Sequence, residues 1–380
     1  MSEGKILVRL EDLMIPPFYV ELNNRYRNLL LNMSLEKANN IKNIAKIVGC
    51  HKDTMRNFLQ YGKSINVKTL SELLNFLKIN IHEAEKYVVS VKRGCSNNEV
   101  KIKLPIKATP KLALLLAKSM GDGGISTDFR FHYSNNQPSL INEVIDAVRS
   151  CIGSAKYNLQ NRVKRKTYEL KFCSTMGFIL NLMGAPKGPK IEKEFCIPNW
   201  IMEGNDKIKS SFLRGIFDDE ACVNNSQPRT KRILFAMGKN QSYENSLRYF
   251  LNQIRQLLLE FNINSKGIVV QQRYDNKIIL KFVIYRKANF KNFKDFVNFN
   301  HKEKKIKLSK MIKNYVGKNK TKNLILKTIK DSNSSLTINE VSIRNNIDRN
   351  LAKYHMNNLL KECLINKEGN YRALWASNKK

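Results

Sequence analysis

What this chain lacks narrows its nature before any motif is read. Its seven cysteines, at Cys50, Cys95, Cys151, Cys173, Cys196, Cys222 and Cys363, fall without paired spacing. That argues against a zinc site or a disulfide framework and for a reducing, cytoplasmic setting. The five histidines show no ligand spacing either, so a metal here would be a hard ion on oxygen ligands. No apolar run approaches the length of a membrane span; Leu112 to Ala117 is a helix core, and no signal-peptide pattern opens the chain. Acid is also scarce: 32 Asp and Glu stand against 67 Lys and Arg, a formal net charge of +35 over 380 residues. A folded chain so unbalanced repels itself unless a polyanion offsets it, and it binds nucleic acid through counterion release. The basic residues are spread along the whole chain rather than gathered in one tail. Abundant Lys, Asn and Ile also reflect AT-rich coding, and charge by itself does not choose between DNA and RNA.

Two stretches about a hundred residues apart read as imperfect copies of one design: LLAKSMGDG, Leu115 to Gly123, and LRGIFDDEA, Leu213 to Ala221. Each is an apolar helix with small residues at four-residue spacing, Ala113, Ala117 and Gly121 in the first and Ser211 and Gly215 in the second. Such stripes let another backbone approach closely. Each helix ends on an acid, Asp122 and Glu220. The macrodipole disfavours a carboxylate there, so two such placements call for a compensating cation or a functional reason. Packing the helices together brings both acids to one end.

The pair resembles the motifs of the LAGLIDADG homing endonucleases, in the form where one chain holds both copies. Lys118 and Met120 depart from that pattern in the first copy and Ala221 in the second, while the small third position and the acid survive in both. The resemblance implies that Asp122 and Glu220 bind the divalent metal, Mg²⁺ with Mn²⁺ as a substitute.

After each motif the chain alternates strand-like and helical segments. In the first copy these are Phe129 to Ser134, a helical pattern Leu140 to Ile152, Ala155 to Leu159, Tyr168 to Cys173, and Met176 to Met183. In the second they are Cys222 to Asn224, Arg232 to Gly238, a helical pattern Tyr243 to Phe261, Ile268 to Gln272, Ile278 to Tyr285, and Phe290 to Phe296. The expected fold is α+β: a duplicated αββαββα core with pseudo-twofold symmetry, flanked by an all-α helix-turn-helix domain and a C-terminal winged-helix-like domain. The expected boundaries are 1–98, 99–204 for the first repeat, 205–316 for the second, and 317–380. The run Leu182 to Trp200 resembles the segment joining the repeats in archaeal members of the family. Phe290 to Phe299, followed by His301, Lys302, Lys304 and Lys305, resembles the close of the second. Basic residues alternating with apolar ones, Arg162, Lys164 and Lys166 and then Glu169 and Lys171, suggest sheets with one face on helices and one on DNA.

In the N-terminal hundred residues, Ile41 to Val48, the turn Gly49-Cys50-His51 and Lys52 to Tyr61 have the length of a helix-turn-helix of the phage-repressor type. Arg56 and Asn57 could reach base edges while Lys52 holds phosphate. The plainer alternative is a helical hairpin that only packs on the core. Lys92 to Glu99 reads as a polar linker. At the other end, Asn323 to Ile329, Thr337 to Ile343, Asp348 to Leu364 and the turn at Asn366 to Arg372 suggest a winged helix. Arg349, Asn350, Lys353 and Asn357 lie on its candidate recognition helix, and Lys367 and Arg372 in the wing.

The chemistry implied is metal-assisted phosphodiester hydrolysis, giving a staggered double-strand break in DNA. Both repeats carry Leu-Lys-Phe in the corresponding strand, which makes Lys171 and Lys281 candidates for orienting water or stabilising charge. A phosphate contact or a solvent-facing lysine would serve equally. Asp218 occupies the motif's structural acid position, with Asp219 in reserve. The expected partner is double-stranded DNA, with structured RNA as a second candidate, no membrane, and a monomer holding an internal pseudo-dimer. Two other readings fit the same fold: a non-cleaving transcriptional regulator and an RNA maturase.

Overall fold

The computed structural model describes residues 4–15, 17–94, 99–224, 231–274, 276–315, 318–369 and 373–377. Two helices organise them. The first, Pro110–Met120, starts with Thr109 accepting from the Leu112 N–H at 3.2 Å and with proline in its opening turn. Every residue from Leu112 to Met120 is buried, as expected of a helix apolar on all sides at the centre of a protein. The second, Asp206–Glu220, is capped by Asn205 and buries Ile208, Phe212, Leu213, Gly215, Ile216, Phe217 and Asp218. The helices touch backbone to backbone. A Cβ on Gly215 would lie 2.8 Å from the Ala117 Cβ and 3.0 Å from the Leu114 carbonyl oxygen.

Each motif helix feeds a four-stranded antiparallel sheet. The first sheet joins Gly123–Ile125, Phe131–Asn135, Tyr157–Arg162 and Thr167–Phe172; the second joins Ala221–Asn224, Arg232–Asn240, Val269–Tyr274 and Lys277–Ile284. In both, the spatial order of the strands is first, second, fourth, third. The likeness extends to side chains. Phe131 stacks on Phe172 at 5.7 Å and 13°, and Phe235 on Phe282 at 5.2 Å and 13°, in matching strands. Behind each sheet runs one amphipathic helix, Pro138–Cys151 in the first repeat and Glu244–Glu260 in the second.

The N-terminal unit departs from the all-α expectation. Ile6–Val8, Phe18–Leu22, Ile65–Asn66 and Val88–Arg93 are strands. The reason is visible in the period-two burial of Phe18, Val20 and Leu22 and in the β-branched run of Val88–Arg93. These strands continue into the first repeat: a five-stranded sheet runs Ile65–Asn66, Phe18–Leu22, Val88–Arg93, Glu99–Ile102, Gly153–Ala155. Val91 faces Val100 across the boundary drawn at residues 98/99, and Ile102 faces Gly153 within the first repeat. Lys92, Arg93 and Glu99, in the run read as a linker, belong to two paired strands. Ile6–Val8 also pairs with Ile106–Lys107, directly before the first motif helix. Within the unit, helices Ile41–Val48 and Lys52–Leu59 flank Gly49, which takes φ +72°.

One apolar core runs from Val8 through both repeats to Met311. A separate small core, built on Ile325, Val341, Met356, Leu359 and Trp375, unites helices Lys318–Lys330, Ile338–Arg344 and Arg349–Lys361 with the hairpin Ile365–Glu368/Leu374–Ser377.

In an exposed helix, Gly→Ala gains about 1 kcal/mol. Gly215→Ala should instead cost about 1–3 kcal/mol through overpacking, read as a lowered urea midpoint; a raised midpoint would mean the helices are not in contact there.

Candidate functional site

The two motif helices end side by side, and their last residues form one charged cluster. Asp219 stands at its centre. Its Oδ1 accepts from the Lys118 ammonium at 2.8 Å and the Tyr133 hydroxyl at 2.9 Å, and its Oδ2 accepts from the Asp122 N–H at 3.1 Å. Lys118, at an apolar position of the motif pattern, is fully buried and also lies 3.7 Å from Asp218. Burial works against its ammonium, but Asp219 and Asp218 outweigh it and hold it above the ordinary lysine value. Gly121 has to be a glycine for the same reason, since a Cβ there would sit 2.5 Å from Asp219 Oδ2. Asp218 Oδ1 accepts the N–H groups of Asn300 and His301 at 3.0 and 2.9 Å, tying the close of the second repeat to its own motif.

Asp122 and Glu220 flank this centre. Asp122 reaches solvent and accepts from Asn135 Nδ2 at 2.9 Å. Burial and the Asp219 charge push its carboxyl up to about 6, against the pull of Lys118 and Lys304. Glu220 is pushed up to about 7 by burial, with Lys190 opposing and Asp122 and Asp219 adding. The two acids thus feel each other, and the cluster holds more negative charge than it neutralises comfortably. A cavity of about 400 Å³ opens onto Asp122, Asn135, Lys166, Asp219 and Lys304.

Two lysines close the helix ends. The Lys190 ammonium donates to the carbonyls of Met120 at 2.9 Å, Gly123 at 2.6 Å and Gly121. Lys304 donates to the carbonyls of Phe217 and Asp219 at 3.4 Å and of Asp218. These are the compensating cations that an acid at a helix C-terminus requires, one for each motif. Burial pulls both ammonium groups below the ordinary lysine value. Both residues lie in the runs read as the inter-repeat segment and the close of the second repeat, but nothing in their spacing marked them as site residues. Lys118, Tyr133 and Asn135 were missed likewise.

The Leu-Lys-Phe lysines sit elsewhere on the sheets. Lys171 pairs with Glu169 at 3.0 Å, and Arg162 holds the same carboxylate at 2.6 Å. Lys281 faces Ala236 and Val269 in its sheet. Neither is among the charges acting on Asp122 or Glu220. Lys164 lies in the exposed turn after Arg162, and Lys166 takes φ +51° at the end of that turn. Lys52 and Asn57 are exposed, whereas Arg56 is half-buried and paired with Asp53 at 2.8 Å. Arg349, Asn350, Lys353 and Asn357 are exposed on one helix, and the Lys367 ammonium lies 5.9 Å from the Trp375 ring centre. Arg372 lies outside the described residues.

The donor set suits a hard divalent ion: carboxylate oxygens that burial leaves short of counter-charge. Among the described residues no three His, Cys, Asp or Glu side chains converge as a ready-made metal cage.

Comparison with known proteins finds the LAGLIDADG-like domain at residues 207–298. The chain carries a LAGLIDADG-like domain. The match bears out the resemblance drawn from the motif pair and falls on the second repeat. Among curated proteins, the tRNA-splicing ligase RtcB of Methanopyrus kandleri is 29% identical over 141 residues, 36% of this chain and 14% of the ligase. The replication factor C small subunit of Methanocaldococcus jannaschii is 27% identical over 174 residues, 44% of this chain and 9% of that protein. The glutamine–fructose-6-phosphate aminotransferase of the same organism is 22% identical over 318 residues, 82% of this chain and 27% of the enzyme. The chain therefore spans only a minor part of each. Among solved structures, the homing endonuclease I-DmoI in complex with DNA and Mn aligns at 15% identity and a TM-score of 0.34, over 50% of this chain and 96% of that one. Among the described residues no helix is long and apolar enough to cross a membrane.

Two outcomes follow from the charge cluster of this LAGLIDADG-like protein. Lys118→Leu should cost about 3–5 kcal/mol by stranding buried carboxylates. Adding Asp219→Ala should recover at least about 1 kcal/mol of that loss in a double-mutant cycle by chemical unfolding; strict additivity would deny the pairing. Glu220 has its folded pKa near 7 against an ordinary 4.5, so the folded state holds the proton more tightly. Metal-free stability must then fall as pH rises through that window. Glu220→Gln should accordingly raise the metal-free Tm at pH 8 and leave it nearly unchanged at pH 4.5. An equal loss at both values would contradict the assignment.

Proposed function

We propose that this chain is a site-specific DNA endonuclease that makes a staggered double-strand break by metal-dependent hydrolysis. The observation that carries the reading is the meeting of Asp122 and Glu220 at the paired helix ends, with a half-buried lysine on each end. A replication subunit, an aminotransferase and an RNA ligase share no reaction. The stretches they have in common with this chain therefore argue for none of those activities here.

In this reading the core is a duplicated αββαββα unit, supported by the matching strand order of its two sheets, and the protein works as a monomer. Asp122 and Glu220 would hold Mg²⁺, with Mn²⁺ as a substitute, and the ion when bound supplies charge neutralisation and an activated water. The water oxygen bonds to phosphorus as the bond to the leaving sugar oxygen breaks; the water gives up one proton and the leaving oxygen takes one. Lys190 and Lys304, rather than Lys171 and Lys281, are the proposed cations beside the two scissile phosphates. Their placement at the helix ends supports this, and their lowered proton affinity suits proton transfer. Asp219, clamped by Lys118 and Tyr133, would set the gap between the acids.

Double-stranded DNA is the proposed partner. Arg162, at the end of a strand of the first sheet, and Lys164 and Lys166, in the turn that follows it, would contact it. The helix pair around Gly49 is proposed as a helix-turn-helix presenting Lys52, Arg56 and Asn57. The C-terminal unit is proposed as a winged helix presenting Arg349, Asn350, Lys353 and Lys367. Tethered modules of this kind lengthen a site and add affinity. The retained acids argue against a non-cleaving regulator.

The test is to incubate the protein with fragmented DNA from its own source at low salt, with Mg²⁺ or with EDTA, and to sequence the new ends. Discrete ends should appear only with metal. Asp122→Asn and Glu220→Gln should each abolish them and leave DNA affinity within about tenfold, since phosphate contacts dominate binding. Specific binding without new ends across divalent metals would favour the regulator, and a collapse of affinity in folded variants would count against the metal role.

A further inference from the structure

The two capping lysines ride on segments that neither repeat holds by itself. Lys190 opens a short turn, Lys190–Glu192, in the strap joining the repeats. The near half of the strap stays on the first repeat: the Gly188 N–H donates to the Ile125 carbonyl at 2.6 Å, and the Lys187 ammonium lies 3.8 Å from the Phe129 ring centre. The far half is held by the second. Lys239 donates to the Lys193 carbonyl and sits 4.0 Å from the Phe195 ring centre. Gln253 brackets Ile197, accepting its N–H at 2.9 Å and donating to its carbonyl at 3.5 Å.

Lys304 shows the mirrored arrangement. It follows Asn300, whose side-chain nitrogen donates to Glu143 on helix Pro138–Cys151 of the first repeat. Gln253 lies on Glu244–Glu260, the equivalent helix of the second. In both cases the helix behind one sheet fastens the segment that delivers a lysine to the other repeat's motif. A buried side chain that brackets one backbone unit fixes it more tightly than loop packing does, because losing it strands polar groups.

We infer that Gln253 and Glu143 are reciprocal positioning residues, each setting the lysine that caps the opposite repeat's motif helix, so that cutting of either DNA strand depends on both repeats. The inference rests on the nuclease reading above, and two measurements separate their failures. In metal-free protein, amide hydrogen exchange after Gln253→Met should speed about tenfold within 188–197 and stay unchanged within 300–304. Glu143→Met should do the reverse. Strand-resolved cleavage of a plasmid carrying the site recovered by end sequencing is the second measurement. There Gln253→Met should slow one strand about tenfold or more, as displacing a reacting group by about 1 Å can, and that strand should be the one slowed by Lys190→Met. Glu143→Met should slow the other strand, together with Lys304→Met, so the two variants accumulate nicks of opposite polarity. Glu143→Gln keeps the acceptor and should return the slowed strand to the wild-type rate. Equal slowing of both strands, or the same strand lagging in both variants, overturns the inference. A wild type that makes no cut removes the nuclease reading, and the exchange pattern then decides the anchoring by itself.

Discussion

The approach of the two motif helices is the constraint on which the other features depend. With Gly215 set against Ala117 and the Leu114 carbonyl, no side chain separates the backbones. Their C-termini must therefore lie within a few ångströms of each other. Everything negative at those ends is forced together: the carbonyl dipoles, Asp122, Glu220, and the pair Asp218 and Asp219. A cluster of that kind is unstable in low dielectric unless cations are built into it. Lys118 enters from within the interface, Lys190 and Lys304 from outside it.

The distribution of those cations separates structure from chemistry. Lys118 is consumed by Asp219 and Asp218 and is sealed from solvent, so its work is to partner two carboxylates inside a helix interface. Asp122 and Glu220 have no such private partner, and burial leaves both short of counter-charge. That inequality is a physical reason to place an external cation on the outer acids. It also explains why a lysine and an acid stand where the motif pattern has an apolar and a small residue, since each makes the other tolerable.

The two ends of the chain relate to this core differently. The N-terminal unit shares a five-stranded sheet and a continuous apolar core with the first repeat. Its orientation is therefore set by backbone hydrogen bonds. The C-terminal unit has a core of its own around Trp375. The N-terminal unit is thus continuous with the repeats, whereas the C-terminal unit is built around an apolar cluster of its own.

The sequence by itself determined the motif pair, the two acids, the strand and helix succession and the basic character, because each is local or periodic. Gly121 and Gly215, Asp122 and Glu220, and Leu-Lys-Phe in matching strands are legible at fixed spacing. The exposed face with Arg349, Lys353 and Asn357 follows from helical period in the same way. Tertiary structure alone decided which lysines stand at the acids. Lys190 and Lys304 come from irregular segments with no period to read, and their ammonium groups reach the helix ends only because distant side chains, Gln253 and Glu143 among them, hold those segments in place. It also decided that the strands Val88–Arg93 and Glu99–Ile102 pair, joining two units rather than parting them. Strand pairing across a boundary depends on partners far away in sequence, as Ile6 and Lys107 are, and local composition carries no record of them.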